Sequence, residues 1–62
     1  MAGNELQRRR EIAGMSRANL AIMLAVTWQT IWNWETGRVP ISGPVERLVR
    51  ILLPLAEEQV AV

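Results

Sequence analysis

Two carboxamide side chains and a large aromatic ring are concentrated in a segment with the periodicity of a helix. Gln29 and Asn33 lie four residues apart, and each carboxamide can donate and accept hydrogen bonds side by side. Ile31 and Trp34 have the spacing of a buried helical stripe. If these two side chains point into a core, Gln29, Trp32 and Asn33 face outward. Such a face predicts a binding surface, since a helix without a partner has no need of it.

Trp28 is four residues from Trp32 and so shares its helical face. Large aromatic side chains that are exposed usually mark contact surfaces. For Trp28 there is an alternative, in which its ring folds over the preceding helix and covers the core. A surface for a partner protein is a third interpretation of this pair.

The amino-acid composition argues against an enzyme. The chain has no histidine and no cysteine, so the commonest general base, the commonest metal ligand and the thiolate nucleophile are all missing. Its carboxylates form no converging pair of the kind that acid–base catalysis uses. We therefore expect no catalytic residue, no metal, no cofactor and no small-molecule ligand.

The composition also indicates a location. A chain without cysteine forms no disulfide, which fits a reducing cytosol. The longest fairly apolar run, residues 48–56, contains Arg50 and Pro54 and is too short to span a bilayer. The N-terminus has no basic-then-apolar leader. We expect a cytoplasmic protein with no membrane partner.

All seven cationic side chains are arginines, and they lie between Arg8 and Arg50. Before Pro54, seven arginines stand against four glutamates, a balance of +3, although the net charge of the whole chain is only +1. The planar guanidinium group suits bidentate contact with phosphate. A solvated surface explains the same pattern equally well, so charge alone leaves both interpretations open.

Residues 16–37 predict two short helices joined by a tight turn. Ser16 and Thr27 are N-cap residue types, each ahead of an apolar periodic set. The predicted helices are residues 17–24 and 28–36, and Gly37 is placed for a left-handed helix end. Helices of about eight residues are too short to be stable alone, so other helices must brace them.

Two longer helices and a short fifth one complete the expected architecture. Asn4 is a candidate cap for a first helix over residues 5–13, which Gly14 ends. Pro44 suits the first turn of a fourth helix, where its missing N–H is harmless. After Pro54 a short fifth helix is expected over residues 55–59. The fourth helix has an apolar stripe at i, i+3, i+4 and i+7, formed by Val45, Leu48, Val49 and Leu52. We therefore predict an all-α fold, one compact domain of four to five helices over residues 1–62.

An ordered set of residues at characteristic spacing runs from Leu6 to Leu52. Its members are Arg10, Ser16, the Leu20-Ala21 pair, Val26-Thr27, Thr30-Ile31 and Trp34-Glu35-Thr36-Gly37. This set, which covers about three-quarters of the chain, resembles the lambda-repressor-like helix-turn-helix domain of the Cro and phage-repressor type (the XRE family). The short chain and its GPVERLVRILL segment are similar to small phage-type autorepressors, including those found beside anti-CRISPR genes.

The resemblance implies that the third helix lies in the major groove of double-stranded DNA. Gln29 and Asn33 would then bind adenine edges through their carboxamides. Trp32 would pack on thymine methyl groups or on the sugar–phosphate wall, with Trp28 beside the start of the helix. Thr27 would cap the helix and also contact phosphate or a thymine methyl group.

The resemblance implies separate roles for three arginines. Arg17, at the start of the second helix, and Arg38, just after the third, would clamp phosphates on either side of the groove. Arg10 would form a structural salt bridge with Glu35 that holds the first helix to the third. The other arginines are expected to be general surface charge: Arg8, Arg9, Arg47 and Arg50.

Two positions depart from the usual pattern of this family. The turn between the second and third helices usually contains glycine, where this chain has Ala25. If the backbone there is left-handed, alanine costs on the order of 1–2 kcal/mol. The residue that opens the second helix is commonly a phosphate-bonding glutamine. Arg17 replaces it here and can keep that role with more charge and less rigidity.

One such domain reads only a few bases, so we expect a homodimer on an inverted repeat with half-sites roughly 34–36 Å apart. The dimer contact is expected within residues 52–62, which have little to cover in so small a monomer, at Leu52, Leu53, Leu55 and Val60. The expected function is a sequence-specific transcriptional repressor that acts on its own promoter. The alternatives are an antitoxin of a toxin–antitoxin pair and a helical protein-interaction module that uses Trp28 and Trp32.

Overall fold

The computed structural model describes residues 1–59, and this part of the chain contains five helices and no strand. The helices are α1 (Gly3–Ile12), α2 (Arg17–Leu24), α3 (Trp28–Glu35), α4 (Gly43–Leu52) and the single-turn α5 (Ala56–Gln59). The all-α prediction is confirmed, and the predicted bounds of the second helix match those of α2. No helix in the described part of the chain is long and apolar enough to cross a membrane.

An apolar core draws on each of the four longer helices. Leu6 of α1, Leu20 of α2, Ile31 of α3 and Val49 of α4 are each completely buried. Trp34 lies among them with 9% of its surface exposed. Because helices of this length are unstable alone, this shared burial of apolar surface holds them in place. The prediction that Ile31 and Trp34 point inward is confirmed.

Side-chain caps begin α2 and α3 as predicted. The Ser16 hydroxyl accepts a hydrogen bond from the Asn19 backbone N–H at 3.0 Å. The Thr27 hydroxyl accepts one from the Thr30 backbone N–H at 3.3 Å. Each bond satisfies a backbone donor that has no partner within its helix, so two short helices start at defined residues.

The first three helices all end in a left-handed residue with the hydrogen bonds of a Schellman motif. Gly14 follows α1 with a φ of +72°, and Gly37 follows α3 with a φ of +80°. Ala25 follows α2 with a φ of 58°, in the same region. Its neighbour Val26 donates from its backbone N–H to the carbonyl oxygen of Ala21 at 2.9 Å. The chain therefore makes the turn between α2 and α3 without the glycine that this conformation favours.

The first helix begins earlier than predicted. α1 starts at Gly3 with Ala2 in the N-cap position and no side-chain cap, so Asn4 lies inside the helix and does not cap it. Tertiary packing sets this start. A Cβ atom added at Gly3 would lie 2.3 Å from the carbonyl oxygen of Trp34 and 2.6 Å from that of Glu35. The absence of a side chain at Gly3 lets α1 contact the C-terminal end of α3.

Only two of the four residues in the apolar stripe of the fourth helix pack against the core. Val49 is buried and Val45 is partly buried against the core, but Leu48 and Leu52 are 42% and 39% exposed. Leu53, the C-cap residue of α4, belongs to the core instead. α4 therefore contacts the core through a narrower face than its sequence indicates.

The end of the chain also differs from the sequence-based expectation. Leu53 and Leu55 are each only 5% exposed in a single chain. The expectation that they have little to cover in a monomer is therefore wrong, and they offer no free surface to a second copy. Leu52 stays accessible, whereas Val60 lies outside the described residues.

Candidate nucleic-acid interface

The outward face of α3 carries the two predicted carboxamides. Gln29 is exposed and Asn33, one turn further on, is half-buried. No hydrogen bond within residues 1–59 occupies either carboxamide. Because Ile31 and Trp34 anchor the opposite face in the core, the helix cannot rotate to hide these groups. Both are available for paired hydrogen bonds with a ligand.

The N-terminal turn of α3 adds a hydroxyl and an indole to this face. The Thr27 hydroxyl caps the helix and also lies 3.1 Å from the Thr30 hydroxyl oxygen. Capping is therefore the role that the structure assigns to Thr27 in the free protein. Trp28 is 56% exposed, so its ring does not form a lid over the core.

A cation–π contact lies towards the C-terminal end of this face. The guanidinium carbon of Arg38 lies 5.5 Å from the centre of the Trp32 ring, within range of such an interaction. The Schellman motif after α3 brings Arg38 back to the helix, and its backbone N–H donates to the Asn33 carbonyl oxygen at 2.9 Å. The sequence did not predict this contact. Trp32 is half-buried. The available signal was a tryptophan six positions before an arginine, with a helix-ending glycine between them.

The predicted bridge between the first and third helices is present. The Arg10 Nε donates to Glu35 Oε2 at 2.7 Å, and Arg10 Nη2 donates to Glu35 Oε1 at 3.1 Å. A third bond runs from Arg10 Nη1 to the Met15 carbonyl oxygen at 3.0 Å. The hydrogen bonds with Glu35 raise the pKa of Arg10, against the smaller opposing effect of burial. This fixes α1 and the turn after it to the C-terminal end of α3.

Arg17 joins the same carboxylate, which the sequence did not predict. Its Nε donates to Glu35 Oε1 at 2.9 Å, and 37% of its side chain stays exposed. The Glu35 side chain is only 1% exposed. Arg17, at the first position of α2, is thus held by Glu35 while its side chain stays partly accessible to solvent.

Arg9 is not the surface charge that was expected. It is 1% exposed, and its Nη1 donates to the Leu53 carbonyl oxygen at 2.8 Å and to Glu58 Oε1 at 3.0 Å. Its Nε donates to Glu5 Oε2 at 3.1 Å, and its Nη2 also bonds to Glu58. Paired carboxylates and a carbonyl are what allow a guanidinium group to be buried. Arg9 therefore connects α1 to α5 and is not available to phosphate.

The remaining arginines differ in their surroundings. Arg50 lies 3.3 Å from Glu58 Oε2 and 3.5 Å from Glu5 Oε2, so it extends the Arg9 cluster. Arg38 and Arg47 are exposed. Near the C-terminal end of α3, Arg38 is exposed and Arg17, which bonds to Glu35, is partly exposed.

Within residues 1–59, no group of three or more histidine, cysteine, aspartate or glutamate side chains could hold a metal ion. Comparison of the chain with protein families, with curated proteins and with solved structures gives no match.

Proposed function

We propose that the protein binds double-stranded DNA through α3 and acts as a sequence-specific transcriptional repressor. The observation that carries this proposal is the outward face of α3, where Gln29 and Asn33 present unoccupied carboxamides on a helix fixed by its core contacts. A helix fits the major groove, and carboxamides make paired hydrogen bonds with adenine there. Arg17, at the start of α2, and Arg38, just after α3, would contact phosphates.

The resemblance to small phage-type repressors supports autoregulation. Such a protein blocks polymerase by occupying its own promoter and needs no cofactor, no catalytic group and no small-molecule ligand. It works in the cytoplasm, where the chromosome or phage genome is accessible. A gene encoding a toxin beside its own gene would instead favour an antitoxin that shares this domain.

The proposal includes a homodimer, with a contact surface that differs from the predicted one. Leu48, Ile51 and Leu52 are spaced i, i+3 and i+4 on α4 and are 42%, 68% and 39% exposed. Together they form the α4 apolar face. Burial of this face between two copies would remove apolar surface from water and place two α3 helices on one duplex.

A protein-interaction module is the second candidate function. It is favoured by the exposure of Trp28 and of Ile22, which is 79% exposed on α2. A duplex-binding assay over a range of salt concentrations separates the two. A DNA-binding protein loses affinity steeply as salt rises, whereas a protein-interaction module shows no shift with duplex DNA.

The decisive experiment is selection of bound duplexes from a random pool, followed by affinity measurements on variants. Gln29→Ala should relax the base preference at one or two base pairs. It should also reduce the binding free energy for the selected site by about 1–3 kcal/mol. Arg38→Ala should weaken binding to all sequences alike. It should also reduce the slope of log affinity against log salt concentration by about one. Gln7→Ala, on α1, is the matched control and should change neither. A pool in which no duplex sequence is enriched by selection would contradict the proposal.

A further inference from the structure

The Glu35 carboxylate accepts hydrogen bonds from two guanidinium groups on two different helices. Arg10 binds both of its oxygens, at 2.7 and 3.1 Å, and is itself 9% exposed in its side chain. Arg17 binds Oε1 through Nε at 2.9 Å and is 37% exposed. The two arginines therefore share one anion but differ in access to solvent. Only Arg17 can reach a ligand outside the protein.

The contact between Arg17 and Glu35 uses one edge of the Arg17 guanidinium group. Arginine has five N–H donors in a planar fork, and the bond to Glu35 occupies the single donor on Nε. The donors on the two terminal nitrogens are the ones that bind phosphate in a bidentate manner. Two guanidinium groups and one carboxylate leave a net positive charge, so the cluster still attracts an anion.

We propose that Glu35 is a positioning residue for Arg17, holding its guanidinium group at the start of α2 in the orientation that binds a DNA phosphate. This inference rests on the proposed function. A free arginine must be ordered when DNA binds, and that loss of side-chain entropy weakens affinity. An arginine already held by a buried carboxylate loses less. Glu35 therefore connects the helix brace made with Arg10 to the phosphate contact made by Arg17.

The test is a double-mutant cycle on DNA affinity with Glu35→Gln and Arg17→Ala, at a temperature where every variant is folded. Arg17→Ala should weaken binding about tenfold, typical for one charged contact. Glu35→Gln should weaken it roughly three- to tenfold when Arg17 is present and less than about twofold when it is absent. The salt dependence should flatten with Arg17→Ala and stay unchanged with Glu35→Gln.

Arg10→Lys is the control for a purely structural effect. It weakens the two-point bridge to Glu35 but leaves the Arg17 contact in place. Its thermal stability should fall while its DNA affinity in the folded state stays near that of the wild type. Equal losses of affinity for Arg10→Lys and Glu35→Gln would show that Glu35 acts only through the fold, and would overturn the inference.

A measurement on the wild-type protein covers the case in which Glu35→Gln does not fold. The Nε–H proton of Arg17 should exchange slowly with solvent, as seen by NMR, and its signal should keep its position when DNA is added. Rapid exchange, or a signal that moves to the position of a free arginine on DNA binding, would overturn the inference.

The remaining outcomes separate this inference from the proposed function. Tighter DNA binding by Glu35→Gln would show that Glu35 sequesters Arg17, which is the opposite effect. Equal effects of Glu35→Gln with and without Arg17 would overturn the inference and leave DNA binding intact. A wild-type protein that binds no duplex at any salt concentration would overturn both.

Discussion

Among single residues, Ala25 has the least favourable backbone conformation for its type. Its φ of 58° and ψ of 41° lie in the left-handed region, where the Cβ atom crowds the following carbonyl oxygen. The two other left-handed residues of the described chain, Gly14 and Gly37, have no Cβ. The turn between α2 and α3 therefore has a stability cost that the other two helix ends avoid.

Ala25→Gly should stabilise the protein. Removal of the Cβ atom from this left-handed position should stabilise the folded state by about 1–2 kcal/mol. The greater conformational freedom of glycine in the unfolded chain should offset about 0.5–1 kcal/mol of that gain. The net gain of roughly 0.5–1 kcal/mol should raise the melting temperature by a few degrees, measured by circular dichroism.

Ala13→Gly is the matched control for this substitution. Ala13 ends α1 with a φ of −76°, which any residue adopts. Glycine at this position relieves no backbone strain in the folded state, so Ala13→Gly should lower the melting temperature. If both glycine variants melt below the wild type, the strain assigned to Ala25 is absent.

At the scale of helices, the contact between the start of α1 and the end of α3 depends on Gly3. Gly3→Ala would place a Cβ atom 2.3 Å from the Trp34 carbonyl oxygen, so α1 must move or its first turn must unwind. We expect a loss of about 1–3 kcal/mol, typical of overpacking. Chemical denaturation with a linear extrapolation measures it.

Gly43→Ala is the control for the same chemical change at another helix start. Gly43 opens α4, and an added Cβ atom would meet nothing within 4 Å. Alanine is the better helix former, so this variant should be neutral or slightly more stable. Equal stability of Gly3→Ala and Gly43→Ala would show that α1 does not make the close contact.

The single turn of α5 is held by ionised groups, so its attachment should depend on pH. Hydrogen bonds from Arg9 and then from the Leu55 backbone N–H lower the pKa of Glu58. A carboxylate with a lowered pKa in the folded state stabilises the protein above the unfolded pKa of about 4.3. This stabilisation is lost as pH falls through the folded pKa, when Glu58 takes up a proton.

Glu58→Gln isolates this contribution. The wild type should be more stable than the variant at pH 7, and the difference should shrink as pH falls below about 4.3. Glu46, whose pKa is lowered chiefly by its hydrogen bond with the N-terminal amine, titrates in both proteins and cancels in the comparison. A difference that stays constant from pH 7 to pH 3 would contradict the role of Glu58.

At the scale of the whole molecule, the α4 apolar face is the proposed contact between two copies. Ile51 is its most exposed member, at 68%, so a polar side chain there costs the monomer little. Ile51→Lys should weaken dimerisation at least about tenfold, as expected for a central apolar side chain in an interface. Sedimentation equilibrium over a range of protein concentrations measures the change.

Ile22→Lys is the control, because Ile22 is 79% exposed and belongs to α2, a different helix from the α4 apolar face. It should sediment like the wild type. Ile51→Lys should also bind an inverted repeat no better than a single half-site. A wild-type protein that is monomeric at high micromolar concentration, or an unchanged Ile51→Lys, would contradict this contact.

The sequence alone determined most of the helix bounds and caps. Ser16, Thr27, Gly14 and Gly37 lie at the helix ends where their residue types are favoured. Such signals are local, since an N-cap hydroxyl bonds to a backbone N–H three residues away and a left-handed residue ends the helix directly before it. The inward direction of Ile31 also followed from helical periodicity.

The salt bridge between Arg10 and Glu35 was implied by the resemblance, and neither its geometry nor the involvement of Arg17 could be read from spacing. The contact spans 25 residues between Arg10 and Glu35, and 18 between Arg17 and Glu35. Periodicity indicates which face a side chain lies on. It does not indicate which charged group from another helix faces it.

Which charged groups and which leucines are buried depends on contacts between distant parts of the chain. Arg9 was expected on the surface, but it is covered by partners 44 and 49 residues away, the Leu53 carbonyl oxygen and Glu58. Leu53 and Leu55 are buried, whereas Leu52, the last residue of α4, is exposed. Burial depends on the surface that distant segments present, and helix-forming signals a few residues long carry no information about it.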